Sequence, residues 1–126
     1  MNMKKRILVV DDQPDITRLL KRGLELTNDY AVREENVSSA ALAAAEEFQP
    51  DLILLDVMMP GMDGGELAVS LRASAKLKTV PIVFLTAAIT KEEVAERDGR
   101  TGGWPILAKP FAIPDVVACL QQHLAG

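Results

Sequence analysis

Cysteine is nearly absent from this 126-residue chain: Cys119 stands alone, so no internal disulfide can form. A reducing, cytoplasmic compartment is the expectation. Long apolar runs are absent too. None approaches the ~18 residues of a membrane-spanning helix, so no membrane partner is expected. Residues 1–10 place lysines ahead of apolar residues, but the apolar run 7–10 stops at Asp11-Asp12. That is too short for a secretory signal. A basic excess is also lacking: 14 Lys and Arg against 18 Asp and Glu give a net charge of -4. A nucleic-acid-binding face needs clustered basic residues, so no nucleic-acid partner is expected. The one short basic run, Lys4-Lys5-Arg6, reads as solvated chain end. Repeats, low-complexity tracts and linkers are missing. The expected organisation is one domain over 1–126 with no output domain.

What is present is a series of short apolar runs. Residues 52–55 read Leu-Ile-Leu-Leu without alternation, the pattern of a strand covered on both faces. The run delivers Asp56 and breaks into a Pro60-Gly61 turn. A carboxylate is costly to bury unless it is paired, hydrogen-bonded or metal-bound, so one at the mouth of a buried strand points to a use. Residues 7–10, Ile-Leu-Val-Val, repeat the pattern and end in Asp11-Asp12. Tyr30-Ala31-Val32 begins a weaker strand, expected nearer a sheet edge. Residues 81–85 predict a fourth strand ending at Thr86. Residues 106–108 predict a short fifth strand ending at Lys109-Pro110.

Helical spacing fills the intervals. Pro14 suits a first helical turn, and Ile16, Leu19, Leu20 and Leu24 recur on one face, with Asn28-Asp29 as the stop. Ser38 or Ser39 can cap a second helix, which carries Leu42, Ala45 and Phe48 on one face and ends at Gln49-Pro50. Asp63, three residues before Glu66, resembles a capping box. It opens a third helix to about Ala75, with Leu67 and Leu71 inward. Thr90 can cap a short charged helix over 91–97, and Gly99, Gly102 and Gly103 mark a loop. Residues 115–124 predict a last helix with Val116, Val117, Leu120 and Leu124 as its apolar face; Cys119 is a small, partly buried member of it and His123 a solvated one.

Apolar strands alternating with amphipathic helices predict an α/β fold, with a five-stranded parallel sheet and helices on both faces. Right-handed crossovers and one reversal of winding give the doubly wound, flavodoxin-like order 2-1-3-4-5. Ligands bind outside the carboxyl ends of such strands, at the crevice where the winding reverses. Asp11, Asp12, Asp56, Thr86 and Lys109 each end a strand. A polar residue at one strand end is ordinary; five brought to one rim by the topology form a candidate site.

Three carboxylates at one crevice repel. Each close pair costs roughly 4 kcal/mol at ~4 Å and an effective dielectric of ~20, a large share of a domain's stability. A hard divalent cation offsets this, and Mg²⁺ favours a few carboxylates, waters and phosphate oxygens. With neither Cys nor His at the rim, zinc is disfavoured. Lys109 adds a fixed positive charge and Thr86 a hydroxyl. The set suits a phosphoryl group, whose transfer is mostly charge neutralisation and in-line positioning. An Asp carboxylate is a competent nucleophile for it.

The ordered set, a strand ending D-D, then L-L-D-V-M-M-P-G-M-D-G, then L-T-A, then K-P-F, resembles the receiver domain of two-component response regulators, of the chemotaxis-regulator type, over essentially the whole chain. The resemblance implies a signalling phosphoacceptor that catalyses only its own phosphorylation and dephosphorylation. Asp56 would take phosphoryl from a phosphohistidine on a sensor kinase or phosphotransfer protein. Asp12 and Asp56 would ligate Mg²⁺ directly with the backbone carbonyl of Met58, and Asp11 through a water. Lys109 would pair with the phosphoryl oxygens, helped by the Thr86 hydroxyl and the Ala87 N–H. Output would pass to a protein target or a second copy of the domain through the last helix-strand-helix face.

One position departs from the family. Three residues before the Lys it usually carries Tyr or Phe, whose ring changes rotamer on activation; here the residue is Ile106. Trp104 offers an aromatic surface two residues earlier, without the same motion. Met58 and Ala88, beside the rim, cannot hold an attacking water by a side-chain hydrogen bond, so slow unassisted dephosphorylation is expected. Met58, Met59 and Met62 read as loop packing. Other readings remain at this stage. A pseudo-receiver would dock without phosphorylation. An Asp-nucleophile phosphatase of the haloacid dehalogenase type would want an Asp where Met58 stands. A flavodoxin-like electron carrier would find its phosphate repelled by Asp-Asp-Gln-Pro-Asp.

Overall fold

The computed structural model describes residues 4–59, 62–86, 100–101 and 104–124. Five strands, β1 (Lys5–Val10), β2 (Tyr30–Glu35), β3 (Leu52–Asp56), β4 (Ile82–Thr86) and β5 (Trp104–Ala108), form a parallel sheet in the order β2-β1-β3-β4-β5. The expected order 2-1-3-4-5 is borne out. Four described helices accompany it: α1 (Pro14–Glu25), α2 (Ala41–Phe48), α3 (Gly64–Ala73) and α4 (Ile113–Leu124). The predicted helix over 91–97, its cap Thr90, and Ala87, Ala88, Gly99, Gly102 and Gly103 lie outside the described residues.

The unbroken apolar runs have the expected cause: both faces of the sheet are covered. Leu8, Val10, Ile53, Leu55, Ile82, Phe84 and Ile106 point to one side, against Ala41 and Ala45 of α2 and Leu67, Ala68 and Leu71 of α3. Ile7, Val9, Leu52, Leu54, Val83 and Leu85 point to the other, against Leu20 and Leu24 of α1 and Val116 and Leu120 of α4. Each fully buried Leu or Ile contributes roughly 1.5–3 kcal/mol, so these two clusters hold the strands in register. The sheet then acts as a rigid platform for whatever its strands end in.

Several local expectations are corrected. β2 runs on through Arg33, Glu34 and Glu35, each paired with β1. An edge strand has a sheet neighbour on one side only, so charged side chains there still reach water. Ser38 and Ser39 lie inside a short 3₁₀ turn, Ser38–Ala40, rather than capping α2, which starts after Ala40 without a side-chain cap. The inner face of α2 is Ala41, Ala44 and Ala45; Leu42 and Phe48 only flank the core. Small side chains let that helix lie close to the sheet. β5 begins two residues early, at Trp104, because Arg100–Thr101 folds back antiparallel on its first two residues. Pro105 precedes the first β4–β5 pair, Phe84–Ile106, and so lies at the start of the strand, where proline is tolerated. Met58–Met59 and Met62–Asp63 pair as two antiparallel two-residue strands; the expected turn at Pro60-Gly61 lies outside the described residues. α3 ends at Ala73, slightly short of expectation, and α4 starts two residues early.

Candidate functional site

The strand register assembles the site. Val10 pairs with Leu55, Asp56 with Leu85 and Thr86 with Ala108. Asp11 therefore comes level with Asp56 across the β1–β3 boundary, where the winding reverses, and Lys109 follows Ala108 on the next strands. All five strand-ending residues meet at the carboxyl rim. One carboxylate oxygen each from Asp11, Asp12 and Asp56 lies within 4.8 Å of the others. Asp11, Asp56 and Thr86 are buried, while Asp12 is more open to solvent.

Lys109 ties the cluster together. Its Nζ donates to Asp11 Oδ2 at 2.6 Å and stands 3.7 Å from Asp56 Oδ1. Its side chain is 12% exposed and that of Asp11 fully buried. A charge-assisted bond of that length in a site so dry is far stronger than a surface pair. The backbone fixes the lysine: its N–H donates to Thr86 O at 2.7 Å, continuing the β4–β5 ladder by one step. The Lys109–Pro110 peptide is cis.

The Asp11–Asp12 bend is held from several sides. Asp11 N–H donates to Glu35 O at 3.1 Å, and Asp11 Oδ1 accepts from Gln13 N–H at 3.0 Å. Asn36 Nδ2 donates to Asp11 O at 2.8 Å and to Thr17 Oγ1 at 3.0 Å. Sequence reasoning missed Asn36 and Thr17. No apolar boundary marked the end of β2 in the sequence; the strand runs through Glu35 and so brings Asn36 to the rim. Of the remaining expected residues, Met58 stands two residues past Asp56 with its backbone paired to Asp63, and Ala87 lies outside the described residues.

The donor set fits a hard divalent cation. It offers carboxylate oxygens only, and three carboxylates face one ammonium. A dication brings such a cluster near neutrality, and oxygen-only ligation suits Mg²⁺. Among the described residues no helix is long and apolar enough to cross a membrane.

Comparison with known proteins gives concordant matches. The family described as "Response regulator receiver domain" matches residues 7–121. The chain is 43% identical over 121 residues to "Transcriptional regulatory protein ResD" of Bacillus subtilis (strain 168), covering 94% of this chain and 48% of that protein. It is 39% identical over 123 residues to "DNA-binding response regulator MtrA" of Mycolicibacterium smegmatis, covering 97% and 51%. It thus spans about half the length of the curated relatives it matches. Among solved structures, chemotaxis protein CheY4 of Vibrio cholerae superposes with a TM-score of 0.81 at 30% identity, covering 96% of this chain and 99% of that one. The receiver domain of sensor histidine kinase PA1611 from Pseudomonas aeruginosa superposes with a TM-score of 0.81 at 27% identity, covering 98% and 100%; its structure has a magnesium ion coordinated in the active site cleft.

Proposed function

This chain belongs to the response regulator receiver domain family, and on that premise we propose that it is a Mg²⁺-dependent phosphoacceptor whose acceptor is Asp56. The observation that carries the reading is the Lys109 ammonium, 2.6 Å from Asp11 and 3.7 Å from Asp56, on the rim that also holds Asp12. A purely structural lysine would need one partner. This one faces two buried carboxylates that a third crowds from the solvent side.

In the proposed step a carboxylate oxygen of Asp56 attacks the phosphorus of a phosphohistidine on a sensor kinase or phosphotransfer protein. The new P–O bond forms as the P–N bond breaks in line, and the electron pair returns to the imidazole nitrogen. Lys109 is already placed to follow the charge. As the attacking Asp56 oxygen becomes the bridge of the acyl phosphate and loses its charge, the ammonium pairs with a phosphoryl oxygen instead. Thr86, buried at the end of β4, offers a hydroxyl to a second, and the Ala87 N–H a further donor. Asp12 and Asp56, with the Met58 carbonyl, would hold Mg²⁺, and Asp11 would act through a water. The cation supplies charge neutralisation for the phosphoryl oxygens.

The readout proposed is a change in binding to a protein target or a second copy of the domain, through the face formed by β5 and α4. Ile106 is buried against Phe84, with which it pairs in register, so this chain carries no ring at that position to rotate.

The test is incubation with Mg²⁺ and acetyl phosphate, read by intact mass. The expected product is heavier by about 80 Da, one phosphoryl group, with parent protein and not with Asp56→Asn. No mass gain, or the same gain in Asp56→Asn, overturns the reading.

A further inference from the structure

Asn36 occupies a position in the site that the five strand-ending residues do not explain. The β1–β2 ladder reaches Val10 paired with Glu35, then one step further, with Asp11 N–H on Glu35 O. In a parallel ladder the next bond would run from the N–H of Val37 to the carbonyl of Asp11. That bond is not made. The chain turns off into the 3₁₀ turn Ser38–Ala40, and Val37 N–H goes to Glu35 Oε2 at 3.1 Å. The side-chain amide of Asn36 takes the vacant place: Nδ2 donates to Asp11 O at 2.8 Å.

The second proton of the same amide is also placed. It goes to Thr17 Oγ1 at 3.0 Å, and that hydroxyl donates onward to Pro14 O at 3.1 Å. Directions are unambiguous, since an amide nitrogen only donates and a carbonyl only accepts. Thr17 is fully buried. One side chain thus joins the end of β2 to the first turn of α1. It grips the carbonyl of the peptide that links the two neighbouring carboxylates of the cluster.

We propose that Asn36 is the positioning residue of the cation half of the site: it sets the Asp11–Asp12 peptide so that both carboxylates face a bound Mg²⁺. The inference rests on the Mg²⁺-dependent reading above and adds a residue that touches neither cation nor phosphoryl group. Groups that orient metal ligands through hydrogen bonds typically govern affinity by about 10–100-fold. A mere loop anchor would change stability and leave affinity alone.

Mg²⁺ binding by isothermal titration calorimetry, with urea unfolding in EDTA beside it, separates the two roles. In Asn36→Ala the Mg²⁺ dissociation constant is expected to rise about 10-fold or more, and acetyl phosphate labelling at saturating Mg²⁺ to return to the parent's extent. Asn36→Leu, nearly isosteric and unable to donate, is read in the same way and serves where Asn36→Ala does not fold. A dissociation constant unchanged within about twofold, with only the urea midpoint lowered, overturns this inference alone. A parent chain that does not bind Mg²⁺ overturns both the inference and the reading it rests on.

Discussion

The two ends of β5 behave as opposites. At its carboxyl end Lys109 donates to Asp11 and stands 3.7 Å from Asp56, beside a cluster of three carboxylates. At its amino end Trp104 packs edge-on against Phe84, with ring centroids 5.7 Å apart, and Arg72 lies over its outer face, 5.2 Å from the centroid. Arg72 is itself held there by a bond to Lys78 O at 2.8 Å. Ile106, 5% exposed, stands between the two. The rim is an arrangement that one added charge can rebalance, because its energy lies in a few strong, opposed interactions. The other end is a set of many weak, non-directional contacts, which resist being rearranged. On the proposed reading, a phosphoryl signal starting at Asp56 would meet that packed end without a rotating ring to carry it.

The contrast is broken most directly at Ile106. Ile106→Ala leaves a cavity beside Phe84 and is expected to cost about 3 kcal/mol in urea unfolding, while the extent of acetyl phosphate labelling stays that of the parent. A large loss of labelling in the folded variant would show that the two ends are coupled.

At the rim, substitutions should take opposite signs. Lys109→Met leaves buried carboxylates without their cation and is expected to cost about 2 kcal/mol in EDTA, discounted from a fully buried pair because the lysine is partly solvated. Asp12→Asn removes one of the repelling charges and is expected to gain about 1 kcal/mol in EDTA. It should also abolish the rise in melting temperature that Mg²⁺ is expected to give the parent. Changes of the same sign would mean that charge balance does not govern this end.

Reactivity tests the packed side without changing its stability. Cys119, on α4 against the core, has its thiol pushed up to about 11 by burial. The thiolate is the reactive form, so raising the folded-state value leaves less of it at any pH below about 11. At pH 8 alkylation by iodoacetamide should run about 100-fold slower than for a free thiol and rise about tenfold per pH unit. A rate equal to that of free cysteine would place Cys119 outside the packed region.

Much of this was legible in the sequence, for a specific reason. Strands buried on both faces read as unbroken apolar runs, and their ends are marked by the first polar residue. That rule places Asp11, Asp56, Thr86 and Lys109 at the rim and orders the sheet. It fails where burial is one-sided. Only the start of β2 is marked by apolar residues; an edge strand tolerates the charge of Arg33-Glu34-Glu35, so no polar boundary pointed to Asn36. The fifth strand was expected to start at Ile106, yet Arg100–Thr101 pairs with Trp104 and Pro105 and extends it by two residues. In α2 the spacing pointed to Leu42, Ala45 and Phe48, and the sheet selected the face of Ala41, Ala44 and Ala45 instead.

By itself, then, the amino-acid sequence determined which residues end the buried strands and so which chemical groups share a rim, because burial on both faces demands an apolar run that stops where the sheet stops. Tertiary structure alone decided how those groups are paired. That Lys109 spans Asp11 and Asp56, that Asn36 stands in for a ladder N–H, and that Trp104 closes the far end between Phe84 and Arg72 all depend on where separate segments leave the sheet, a matter of long-range packing that no local pattern encodes.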